Sequence, residues 1–283
     1  EEVKKLLENN PDCNIVSVSM GDNKNFCTCE KCREKTARVG LARAYYDFIN
    51  AVAYKIYEYR PDVLVHTFAY MNLCDIGDEF ALAPNIMIQY CTAGCAIHPI
   101  GGCEHNADQA KNLAVWSKMC KNVFIWDYIN CFKYELMDMP TVYNYPANLR
   151  TFARNGVKYV LDHGNCEGEF ADFAELKTYV LSKICWNPDR DVEALMHEFI
   201  TAYYCEAAPE IEEYFDKMNR RFEEIDRDRG YHLRLYNLPE SMFAPENFPL
   251  GFIRDLLAIF DRATGKAKGN ETLTVRLIRA RLS

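Results

Sequence analysis

Short runs of apolar, β-branched residues alternate with longer stretches of helical period, and that alternation leaves the chain few folds to adopt. The first run is Asn14-Ile15-Val16-Ser17-Val18-Ser19, which ends in a polar loop. A helix-period stretch follows over about 36–59, closed by Arg60-Pro61. Further strand-like runs lie at 63–70, 85–90, 123–128 and 157–161. Helical patterns separate them at about 106–119 and 145–154, the second stopped by Asn155-Gly156, and another covers about 169–185. Strands spaced by helices in this way pair in parallel through crossovers. Near-continuous apolar runs suit strands that are covered on both faces.

Beyond Trp186-Asn187-Pro188 the strand signal stops, and 191–204, 209–229 and 249–266 read as helices. The expected fold class is α/β: a partial (β/α)8 TIM barrel of about five C-terminal βα units over 1–188, then a helical domain over 189–283. Thr272-Leu273-Thr274-Val275 reads as the start of another strand. The chain opens Glu1-Glu2-Val3, and both ends read as cuts in a longer protein. On that reading the first barrel strands are missing partners. A sheet with open edges is expected to aggregate, or to be inactive, without them.

Composition narrows the function classes. With 49% hydrophobic and 26% charged residues, the 283-residue chain has the makings of a packed core rather than a disordered segment. A net charge of −8 argues against nucleic acid as a partner, because phosphate neutralisation needs clustered Lys and Arg. Lys217 to Arg229 is basic, but its acids are interleaved and it reads as a solvated helix face. No apolar run approaches the roughly 20 residues of a membrane span. The compartment stays open, an exported parent being one option.

In parallel α/β barrels the functional groups sit at the C-terminal ends of the strands. The ends here deliver Met20-Gly21-Asp22-Asn23, Phe68-Ala69-Tyr70, Tyr90-Cys91, Trp126-Asp127-Tyr128-Ile129-Asn130 and Asp162-His163-Gly164. Acids, amides and aromatics in one set suit a carbohydrate: ring faces stack on aromatics and hydroxyls need polar partners. Glycoside cleavage needs carboxyl groups flanking an oxocarbenium-like transition state. Asp22, Asp127 and Asp162 are therefore the catalytic candidates, set against the plain reading of strand-end acids that cap helices. His66, Tyr70, Trp126, Tyr128, Asn130 and His163 are the candidate substrate-binding residues. The adjacent Asp78-Glu79 reads as a surface acidic turn, and Glu167 and Glu169 flank a helix start.

Thirteen cysteines, an odd number, include the compact motif Cys27-Thr28-Cys29-Glu30-Lys31-Cys32 directly after the first strand. Cys27, Cys29 and Cys32 suit a structural zinc with a fourth ligand among Cys91, Cys95, His98, Cys103 and His105. Disulfides and free thiols are the alternatives, and each has the cysteines shaping a loop rather than doing chemistry.

Val16-Ser17-Val18-Ser19, Asp22 and the cysteine motif together resemble the opening signature of the domain of unknown function 4838. Further matches follow in order: Phe48 to Ala53, Ala69-Tyr70, Pro84-Asn85-Ile86, Cys95, His98-Pro99, Cys103 and Asn106. Trp116, Trp126-Asp127-Tyr128, Gly156-Val157-Lys158, Glu169-Phe170, Glu175-Leu176, Tyr179-Val180-Leu181 and Trp186 to Asp189 complete the series. The resemblance covers about 14–214. At the first strand the family's Asn-Asp-Gly reads Gly21-Asp22-Asn23, so Asp22 matches while its neighbours differ. That family is similar to glycoside hydrolase family 163, endo-β-N-acetylglucosaminidases of complex N-glycans. The resemblance implies a retaining mechanism assisted by the substrate's 2-acetamido group, with no cofactor required for catalysis. The expected function is accordingly a glycoside hydrolase acting on N-acetylhexosamine-containing glycans. The alternative is a non-catalytic glycan-binding module.

Overall fold

The computed structural model describes residues 1–92, 94, 95, 97–164, 172–229 and 240–282. Five parallel strands form one sheet in sequential order: β1 (Ile15–Ser17), β2 (Leu64–Ala69), β3 (Ile86–Cys91), β4 (Val123–Tyr128) and β5 (Tyr159–His163). The register aligns Ser17 with His66, Phe68 with Gln89, and Gln89 with Phe124. Lys158 N–H donates to Val123 O at 3.0 Å, tying β5 to β4.

By its internal contacts the chain divides into two units. The first comprises 1–92, 108–127 and 152–161. Its sheet buries Val65, Thr67 and Ala69 of β2 and Ile88 and Tyr90 of β3. These pack under α3 (Leu41–Tyr59) and α4 (Glu104–Met119): Tyr45 Oη meets Thr67 Oγ1 at 2.9 Å, and Tyr90 Oη donates to Gln109 O at 3.1 Å. Trp116 is fully buried, crosses Tyr46 edge-on at 4.7 Å and donates from Nε1 to Cys74 O at 2.9 Å. Burying an indole requires such a partner for its N–H.

The helix expected over 36–59 is two, α2 (Glu30–Val39) and α3, because Gly40 sits at φ 83°. Its N–H closes α2 on Thr36 O, and its carbonyl opens α3 by accepting from Ala44 N–H at 3.0 Å. Glycine alone takes that backbone without strain. An additional helix, α1 (Glu2–Asn9), precedes β1.

The second unit comprises 93–107, 128–151 and 162–283. It begins with part of α4 and part of α5 (Tyr145–Arg154), and continues through α6 (Ala174–Trp186), α7 (Val192–Tyr204), α8 (Ala208–Arg229), α9 (Leu250–Lys266) and α10 (Glu271–Ala280). Leu195, Ile211, Tyr214, Phe222, Phe260 and Leu277 are among its buried side chains. Here one expectation fails: 272–275 is not a strand. Asn270 caps a helix instead, its side chain accepting from Leu273 N–H at 3.0 Å. Leu273, Leu277 and Ala280 then fall on one buried face, at helical spacing. No described helix is long and apolar enough to cross a membrane.

Candidate functional site

Alternation along each strand sorts the strand-end residues onto two faces. Thr67, Tyr90 and Ile125 face the helices, so Ser17, His66, Phe68, Gln89 and Trp126 lie on the opposite face. The open face carries a connected polar row. His66 Nε2 is 2.7 Å from Gln89 Oε1, and His66 Nδ1 is 3.0 Å from Ser17 Oγ. An amide oxygen only accepts, so the neutral ring donates from Nε2–H to Gln89 and its Nδ1 accepts from the Ser17 hydroxyl. Beside this row Phe68 lies edge-on to His66 at 5.0 Å and to Trp126 at 5.9 Å. A hydrogen-bonded amide, imidazole and hydroxyl next to half-exposed rings is a surface on which a sugar can both stack and bond.

Burial pulls the His66 pKa down, with the Gln89 bond opposing. A depressed histidine favours the neutral ring in the folded state. Its contribution to stability is complete above the unfolded pKa of about 6.5 and is lost as pH falls through the lower folded value. Replacing Gln89 by Glu sets a carboxylate against Nε2–H and is expected to raise the His66 pKa above 6.5, read by NMR titration of the ring protons.

The three candidate acids are placed differently. Asp22 is exposed, in the loop leaving β1, where Asn23 N–H turns back to Gly21 O at 2.7 Å. Asp127 shares the helix-side face with Ile125 and is 7% exposed; the Thr92 hydroxyl donates to its carboxylate. In the second unit, Asp162 also turns toward a helix, with Cys185 Sγ of α6 at 4.0 Å from Oδ2. His163 takes the other side of β5, its ring 5.7 Å from Tyr128 and 4.6 Å from Phe132. Burial lowers its pKa, with Glu135 opposing. Asn130 is buried after β4, and Tyr70 is half-buried at the end of β2. Glu167 and Glu169 lie outside the described residues. Glu79 is on the surface, 3.8 Å from Lys118.

Cys27, Cys29 and Cys32 have their thiols within 4.8 Å of one another and could hold a metal ion. The backbone N–H of Cys32 lowers the Cys29 pKa, whereas its hydrogen bond to Cys29 pushes the Cys32 thiol up to about 11. None of the twelve described cysteines forms a disulfide.

Reading the sequence missed a buried charge cluster in the second unit. Lys177 Nζ contacts Asp172, lies 3.5 Å from Asp138 and donates to Met139 O at 2.6 Å. All three charged residues are buried. Burial, reinforced by Asp138 and opposed by Lys177, pushes the Asp172 carboxyl up to about 8. Nothing in local spacing announces the cluster, because Asp138 comes from a loop far upstream of α6.

Sequential parallel strands covered by helices define an α/β protein, and one face of its sheet carries the polar and aromatic row. More specifically, the chain belongs to the family described as Domain of unknown function (DUF4838), whose model matches residues 1–216. No curated protein matches the chain.

Proposed function

We propose that this chain is part of a glycoside hydrolase acting on N-acetylhexosamine-containing glycans, and that the open sheet face binds the sugar. The observation that carries the reading is the row Ser17–His66–Gln89 running beside Phe68 and Trp126. The strand order supports a section of a (β/α)8 barrel, since a doubly wound sheet reverses its order and this one does not. So do Ile15, Tyr159 and Leu161, apolar residues of the outer strands β1 and β5 that remain exposed, as interior residues of an incomplete barrel do.

By resemblance to endo-β-N-acetylglucosaminidases, the mechanism is retaining and substrate-assisted. One carboxyl protonates the leaving oxygen while another orients the 2-acetamido group. Asp22 is the acid assigned to the cleavage point, being exposed at the C-terminal end of its strand. The Cys27–Cys29–Cys32 cluster, as a structural zinc site, shapes the loop that carries it.

A second reading, a glycan-binding module without turnover, draws on the helix-side placement of Asp127 and Asp162. Calorimetric titration with N-acetylglucosamine oligomers tests the shared premise. Trp126→Ala is expected to weaken binding about tenfold or more, as loss of a central aromatic contact does. Equal affinity for wild type and variant, both folded, sinks the sugar-face assignment.

A further inference from the structure

A second sulfur-and-imidazole cluster, in the second unit, is built more completely than the first. Cys95 Sγ, a ring nitrogen of His98 and Cys103 Sγ lie within 4.8 Å of one another, and Cys95 Sγ is 3.4 Å from His98 Nδ1. Ligands about 2.3 and 2.1 Å from one tetrahedral ion stand about 3.6 Å apart, so the pair already has the required separation. Cys95 is buried, while His98 and Cys103 are half-buried and open to an entering ion.

The loop that carries these groups is fixed by its own bonds. The buried Asn106 accepts from Cys95 N–H at 2.8 Å and donates to His98 O and Pro99 O at 3.0 Å each. At Gly102 a Cβ would come within 2.9 Å of the Pro99 ring, so glycine lets the loop close this tightly.

Behind the histidine stands Asp226 of α8. Its Oδ2 is 3.6 Å from His98 Nε2, and its buried Oδ1 has no hydrogen-bond partner among the described residues. A histidine that ligates through one nitrogen commonly gives its other N–H to a carboxylate, which fixes the tautomer and strengthens the ligand.

We propose that Cys95, His98 and Cys103 form a binding site for a zinc-class divalent cation, with Asp226 orienting His98 from behind. Two thiolates and an imidazole select a borderline-soft ion over Mg²⁺ or Ca²⁺. The bound ion joins Cys95 and Cys103, through His98 and Asp226, to α8. Each thiol that binds gives up its proton to solvent. The site is independent of the sugar-binding reading.

The test is cobalt titration, under reducing conditions and without oxygen, of the chain with Cys27, Cys29 and Cys32 replaced by serine. The expected result is one equivalent bound, with thiolate-to-cobalt charge-transfer bands and tetrahedral d–d bands that Zn²⁺ displaces. Asp226→Asn is expected to keep the bands and weaken binding about 10–100-fold. Should the triple variant not fold, the wild-type chain gives the same answer: His98→Ala lowers the bound equivalents by one. No cobalt bound by the folded, reduced triple variant overturns the proposal. So does an unchanged stoichiometry in His98→Ala.

Discussion

Replacing Lys177 by methionine is expected to destabilise the protein by about 3–5 kcal/mol, measured by urea unfolding above pH 8, because there it leaves buried carboxylate charge with no cation. Lys177 is 3% exposed, Asp172 0% and Asp138 4%. The backbone makes the loss harder to absorb. Asp172 and Phe173 sit at φ 58° and 47°, a left-handed region that costs a non-glycine residue on the order of 1–3 kcal/mol. Asp172 Oδ1 also accepts from Met139 N–H at 2.8 Å, so the carboxylate ties two segments together at the start of α6. The same cluster sets a pH dependence. A carboxyl raised to about 8 in the folded state favours folding fully below its unfolded pKa of about 3.9. That contribution declines as pH rises from there through about 8. Burial raises Asp138 as well, so it slopes the same way. Asp172→Asn should flatten the fall in stability between pH 4 and pH 8; an unchanged slope would show that the titration lies elsewhere.

The second large effect separates three acids that look alike in the sequence. Asp22→Asn is expected to lower glycan turnover by about 10²–10⁴-fold, the usual contribution of a general acid or base, while leaving oligosaccharide binding within a few-fold of wild type. Asp127→Asn should act on stability instead. Its carboxylate is buried against the Thr92 hydroxyl, and an amide there loses the charged acceptor, costing about 1–3 kcal/mol. Measuring kcat and unfolding free energy for both variants resolves the assignment. Asp127→Asn that unfolds normally and loses only turnover would transfer the catalytic role to Asp127.

How far the sequence was legible follows from which interactions are local. The five strands are readable because short apolar runs such as Ile86-Met87-Ile88, spaced by helical stretches, carry no helical period of their own. The split at Gly40 is not, since one glycine inside a helical period does not reveal its φ. Thr272 to Val275 misled because β-branched residues alternate there, yet the Asn270 cap and the Leu273–Leu277 face decide for helix. The strand ends located the candidate residues but not their faces. Alternation puts Trp126 and Asp127 on opposite sides, and only the register and the packed helices say which side is covered. Cys95, His98 and Cys103 are visible in the sequence as ligand types, each one of five candidates for a fourth ligand to the first cysteine motif. The structure groups them as a set of their own.

The proposed activity is cleavage of N-acetylhexosamine-containing glycans. The most direct measurement incubates a complex N-glycoprotein with the full-length protein and reads the released glycans by mass spectrometry. Release by cleavage between the two core N-acetylglucosamine residues, slowed about a hundredfold or more in Asp22→Asn, is the predicted result. No release by folded protein that still binds the oligosaccharide would contradict hydrolysis and leave the sheet face as a glycan-binding surface.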